Sequence, residues 1–105
     1  MKKTERLRKV VDETTQVRCA LGKGLIREEV WQDSRSVIVR YNLAFINHAL
    51  SARDNGRVVG YDNSHGDHHR HFAGAEEKFA FVSYERLLEQ FLDEVRELRQ
   101  KKEPI

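Results

Sequence analysis

The sequence predicts an α+β fold: an antiparallel meander of four to five strands, a long C-terminal helix packed on one face, and a short N-terminal helix or arm. Three observations predict it. Residues 37–46 alternate, with Val37, Val39, Tyr41, Leu43 and Phe45 on one side, as in a half-buried strand. Asn55-Gly56 is a turn signal, because both central positions of a type I′ turn need positive φ. Tyr84, Leu87, Leu88, Phe91, Leu92, Val95 and Leu98 recur at helical spacing as one broad apolar stripe.

The elements follow in order within a single expected domain, residues 1–105. Residues 1–13 read as a short helix with a basic outer face, Thr4 as its N-cap and Leu7, Val10 and Val11 on one stripe; the arm as a whole spans 1–15. The sheet is expected over 16–82. Val17, Cys19 and Leu21 alternate with Arg18 and Ala20, Gly22-Lys23-Gly24 follows, and Leu25–Trp31 comes after. That pattern reads as a hairpin, against the alternative of one helix continuing to Leu21 and ended by Gly22. The strand 37–46 pairs with Arg57–Tyr61. The stretch from His48 to Asp54 exceeds a minimal hairpin and implies an extended ribbon or bulged loop. Residues 62–75 read as a connection, and Lys78-Phe79-Ala80-Phe81-Val82 as a short last strand. The final helix, 83–102, has Ser83 as N-cap, Glu85 in its first turn, and Val82 and Leu87 at the hydrophobic-staple positions. Lys101 and Lys102 suit the C-terminal dipole, and Pro104 stops continuation.

Charged residues make up 34% of the chain and apolar residues 39%, which implies a modest core under a charged surface. The net charge of +2 is uninformative, but Lys2, Lys3, Arg6, Arg8 and Lys9 crowd the first ten residues while the C-terminal third is acidic. Solvated faces explain this; a phosphate-facing surface also would. Cys19 is the single cysteine, so it has no internal disulfide partner and no cysteine-based zinc site. No apolar run suggests a membrane span or a signal peptide. A cytoplasmic protein without membrane association is expected.

The densest chemistry lies in Tyr61-Asp62-Asn63-Ser64-His65-Gly66-Asp67-His68-His69-Arg70-His71, which holds four of the five histidines. Imidazole titrates near neutrality, so it shuttles protons or ligates metals. His69-x-His71 presents two imidazoles from one side of an extended segment, and Asp62 or His65 would complete a metal shell. The same residues suit metal-free phosphodiester cleavage. That reaction needs a base, an acid for the leaving 5′-oxygen, and a cation for the crowded phosphorane. His69 and His71 supply the proton transfers, Arg70 or Arg40 the cation, and Asp62 the group that orients an imidazole. A polar turn whose histidines cap backbone groups is the plain alternative. His48 reads as structural or exposed, and Cys19 as a small half-buried residue.

The run Tyr61–His71, followed by Gly74, Phe79 and Ser83-Tyr84-Glu85-Arg86-Leu87-Leu88 ahead of an acidic Phe/Leu helix, resembles the TumE family of small prokaryotic toxins from toxin–antitoxin modules. The resemblance covers about residues 25–98, and its specific part is Tyr61–His71. It implies a growth-inhibiting toxin neutralised by a cognate DNA-binding antitoxin of helix-turn-helix type. It puts Asp62, Asn63, His69 and His71 foremost, with His65 and Arg70 behind them, and leaves His68 as an extra histidine. The expected assignment is catalytic His69, His71, Asp62, Asn63 and His65, with Arg70, Arg40 and Tyr61 on the substrate, here RNA. No metal ion or cofactor is expected, and a homodimer is among the expected assemblies. Two other readings stand beside the ribonuclease: a non-enzymatic module binding nucleic acid or antitoxin, and a metal-binding domain using His65, His69 and His71.

Overall fold

In a computed structural model describing residues 6–105, six antiparallel strands lie side by side in chain order, with one helix across them. They are β1 (Arg8–Arg18), β2 (Lys23–Gln32), β3 (Ile38–Ile46), β4 (Arg57–Asp62), β5 (His69–Phe72) and β6 (Ala75–Lys78), followed by α1 (Tyr84–Leu98). The α+β class and the meander are as expected; six strands replace the expected four to five.

The core lies between α1 and the central strands. Tyr41, Leu43 and Phe45 of β3 meet Val59 and Tyr61 of β4, and Leu87, Phe91 and Val95 of α1 close over them. The alternation read from 37–46 therefore holds in mid-strand, while Val37, ahead of β3, is exposed. Ser83 caps α1 by accepting from the Arg86 N–H, satisfying one of the orphan donors of the first turn. Tyr84 donates to Glu28 of β2 at 2.6 Å, fastening the start of α1 to the sheet. At the other end Arg99 donates from Nε to the Arg18 carbonyl.

Several expectations need correction. Residues 8–13 are strand, not helix, because pairing with β2 captures all of β1, whose Val10, Val11, Thr14, Thr15 and Val17 favour a strand; Thr4 lies outside the described residues. The hairpin reading of 17–31 holds, with β1 far longer than expected. The connection 62–75 contains β5 and the start of β6. Phe72 pairs with Ala75 across a two-residue turn in which Ala73 and Gly74 both take positive φ. Residues 79–83 are an irregular strap instead of a strand: Phe79 and Phe81 pack on the core, and Ala80 and Val82 face out. Val82 is exposed, so no hydrophobic staple forms, and α1 ends at Leu98. The extra residues between β3 and β4 fold into a turn organised by buried Asn47, whose side chain accepts from the N–H groups of Ala49 and Leu50 and donates to the Leu21 carbonyl. A register shift at Ile46 supplies the bulge. Among the described residues no helix is long and apolar enough to cross a membrane.

Candidate functional site: the open face of the sheet

Because side chains alternate along a strand, the sheet face away from α1 is set by register. One cross-strand row on it runs Asp12, Glu29, Asn42, Asp62, His69, Lys78 from β1 to β6. The next row runs Thr14, Arg27, Ala44, Gly60, His71, Glu76. Asp62, His69 and His71 thus converge: the spacing predicted a common face for the two imidazoles, and the pairing of β4 with β5 brings Asp62 beside them.

Their geometry is specific. His71 donates from Nε2 to Oδ2 of Asp62 at 2.8 Å, and both side chains are largely shielded from water. A carboxylate only accepts, so Nε2 carries the proton and Nδ1 is the basic nitrogen. The His69 ring centre is 6.5 Å from that of His71. Nδ1 of His69 is buried without a hydrogen bond, with the nearest carboxylate, Glu76, at 3.9 Å. It is the single such side-chain atom among the described residues; Nε2 of His69 and Nδ1 of His71 are not closed off in this way.

Arg57 completes the group, and sequence reasoning missed it. Its Nε donates to Asp54 at 2.6 Å, and its Nη1 lies 3.8 Å from the Asp62 oxygen that accepts from His71. The side chain crosses Gly60, where an added Cβ would sit 2.7 Å from Cδ of Arg57 and 2.9 Å from the Leu43 carbonyl oxygen. A glycine inside a strand marks close approach of another group, so Gly60 was the available signal.

Other expected residues fall elsewhere. Arg70 and Tyr61 pair on the opposite face, under α1. Tyr61 is fully buried; its hydroxyl donates to Glu94 and accepts from Gln90 and from Arg70, which also pairs with Glu94. Neither reaches the open face, because alternation places residue 70 opposite 69 and 71. Asn63 mimics backbone: Oδ1 accepts from the Tyr41 N–H and Nδ2 donates to the Val39 carbonyl, prolonging the β3–β4 ladder. His65 lies in the exposed loop 64–67, apart from the paired strands that hold the others. Arg40 is on the open face, one row beyond Asn42. Among the described residues no three His, Cys, Asp or Glu side chains form a metal-ligand cluster, so His65, His69 and His71 do not assemble as a metal shell.

His68 is a packed ring. It stacks on Phe81 at 4.2 Å and its Nδ1 accepts from the Tyr41 hydroxyl at 2.7 Å. Burial pushes the Tyr41 hydroxyl far above the ordinary phenol range, so it stays a donor. Burial also holds His68 below the usual imidazole value of 6.5, with the His69 charge acting the same way and Asp67 opposing. The unfolded chain therefore takes up a proton that the folded ring resists. The stability His68 confers is full above about pH 6.5 and declines as pH falls through the window below it. Urea titrations at about pH 7.5 and about pH 5.5 should show this loss. His68→Phe, which keeps the stack without a titrating group, should lose less; an equal loss would refute the assignment.

The β1–β2 side of the face is a charge network: Glu29 meets Lys9 at 2.6 Å and Arg27 at 3.1 Å, and Asp12 meets Arg27 at 2.7 Å. The Lys9 hydrogen bond, ahead of that from Asn42, holds the Glu29 carboxyl below its usual range.

A family model described as Toxin TumE matches residues 3–99 of this chain. Among curated proteins and solved structures none matches it.

Proposed function

This chain belongs to the TumE toxin family, and on that premise we propose that it cleaves RNA without a metal ion on the open face of its sheet. The observation that carries the reading is the His71–Asp62 hydrogen bond with a second imidazole beside it on the same face. Nδ1 of His71 takes the proton of a ribose 2′-hydroxyl, and the 2′-oxygen attacks the adjacent phosphorus. His69, protonated, gives its Nε2 proton to the departing 5′-oxygen. The products are a 2′,3′-cyclic phosphate and a 5′-hydroxyl. Asp62 fixes the tautomer of His71 and stabilises the imidazolium that forms. Arg57, beside Asp62, faces the charge that grows on the phosphate oxygens. In-line attack puts the entering and leaving oxygens on opposite sides of phosphorus, and two imidazoles with ring centres 6.5 Å apart on one face would flank a phosphate lying over them.

A toxin of this family has an antitoxin partner. Our reading makes it a DNA-binding protein of helix-turn-helix type that covers the open face. The test is product chemistry. Purified protein should cut single-stranded RNA to ends bearing 2′,3′-cyclic phosphate and 5′-hydroxyl, unchanged by EDTA, and should leave DNA intact because it lacks the 2′-hydroxyl. Products with 5′-phosphate ends, or RNA binding without turnover, would replace this reading with another.

A further inference from the structure

We propose that Trp31, with Arg40 and Lys9, forms a subsite on the open face that holds an unpaired base of single-stranded RNA away from the cleaved bond. The proposal rests on the ribonuclease reading for its place in catalysis, and on its own observations for binding.

Trp31 is the one tryptophan of the chain, yet it belongs neither to the core nor to the side chains packed against it. It stands on the open face between Lys9 of β1 and Arg40 of β3, its register partners. The Lys9 ammonium lies 5.1 Å from a Trp31 ring centre and the Arg40 guanidinium carbon 4.9 Å. Lys9 is also tied to Asp12 and Glu29. Arg40 differs: it is exposed and, among the described residues, has no carboxylate partner. Lys9 and Arg27 on that face are paired with acids, whereas Arg40 stands beside Trp31 with its charge uncompensated, placed to meet a phosphate of the bound strand.

An aromatic ring flanked by cations on an open sheet suits single-stranded nucleic acid. Every base has a π-face that stacks on an indole or a guanidinium plane, and the flanking charges meet the backbone. A duplex keeps its bases stacked inward and cannot use such a platform. Strand spacing puts Arg40 about 12 Å and Trp31 about 16 Å from His69 along the sheet. That is beyond the nucleotides flanking the bond, so the subsite would engage a strand running across β5, β4, β3 and β2.

Trp31 is its own reporter. In a His71→Ala protein, a short pyrimidine RNA should quench tryptophan fluorescence, and a duplex of the same sequence should not. Trp31→Ala should weaken anisotropy-detected RNA binding about ten- to hundredfold, and Trp31→Phe should recover most of it. Arg40→Ala should weaken binding and flatten its salt dependence, while Arg40→Lys keeps the charge without the plane. Thermal melts of each variant exclude misfolding; Arg40 is exposed, so its substitutions remove no core packing. Equal quenching by duplex, or unchanged affinity in folded Trp31→Ala and Arg40→Ala, would overturn the subsite. RNA cleavage with no dependence on Trp31 sinks the subsite alone. Trp31-dependent RNA binding by a wild-type protein that never cleaves sinks the ribonuclease reading alone. Quenching by the antitoxin but not by RNA assigns the platform to the protein partner and also overturns the proposal.

Discussion

Replacing His71 by alanine is expected to lower RNA cleavage by about a hundred- to ten-thousandfold and to abolish growth arrest, with the fold intact. The ring lies outside the core, so its loss leaves the packing of β3, β4 and α1 as it was. Asp62→Asn is the finer probe. The amide keeps the shape but offers Nδ2, a donor, or Oδ1, a weaker acceptor, to Nε2 of His71. The imidazole then loses the partner that sets its tautomer, and a loss approaching that of His71→Ala is expected. Arg57→Ala should cost less, through the phosphate charge, and Arg70→Ala should act on stability alone because its guanidinium is held under α1 by Glu94 and Tyr61. Induced expression with growth curves, and single-turnover cleavage by purified variants, read these outcomes. A folded His71→Ala protein as toxic as the parent would remove the site from consideration.

Phe91→Ala should destabilise the protein by about 3–5 kcal/mol. Phe91 is fully buried, and its ring meets Tyr61 edge-on at 6.2 Å. Truncation leaves a cavity between α1 and β4 and withdraws support from a tyrosine whose hydroxyl ties together Glu94, Arg70 and Gln90. Native domains are stable by roughly 5–15 kcal/mol, so one substitution removes a large share, and the melting temperature should fall by roughly 12 °C or more. Leu92→Ala, on the same helix but exposed, should change stability by under about 1 kcal/mol. Thermal and urea melts of the pair separate the buried stripe from the solvent face; equal effects would contradict the packing described for α1.

The elements legible in the sequence were those with one wet and one dry face. β3 shows its alternation because Tyr41, Leu43 and Phe45 are buried, and α1 shows its stripe because Leu87, Phe91 and Val95 are. β1 was misread because it is an edge strand exposed along nearly its whole length: with little side to bury, it has no pattern to display. Leu7, Val10 and Val11 matched a helical spacing by accident, and partnership with β2 decided otherwise. β5 and β6 were missed for a related reason. They are four residues long, and only Gly74 of their tight turn is a turn-forming type. The strap 79–83 has the burial rhythm of a strand without its neighbours. At the site, the common face of the histidine pair was readable from i, i+2 spacing; Asp62 stood out by residue type, and its place beside them comes from the pairing of β4 with β5. Arg57 was not readable, since its approach depends on the width of a glycine in the adjacent row. Proximity in sequence points to Arg70 and Tyr61 as well, but alternation sets both on the opposite face.

The backbone of β5 serves two masters in four residues. His69 and His71 point to one side, and Arg70 and Phe72 to the other. Because the period is two, slipping β5 against β4 by a single residue would exchange the two sets at once, setting imidazoles against Tyr61 and Glu94 and a guanidinium against Asp62. Substitutions can tune this hairpin one side at a time, but a change in its length cannot. Variation in chain length should therefore gather in the exposed loop 64–67, where a residue can be gained or lost before the register is committed.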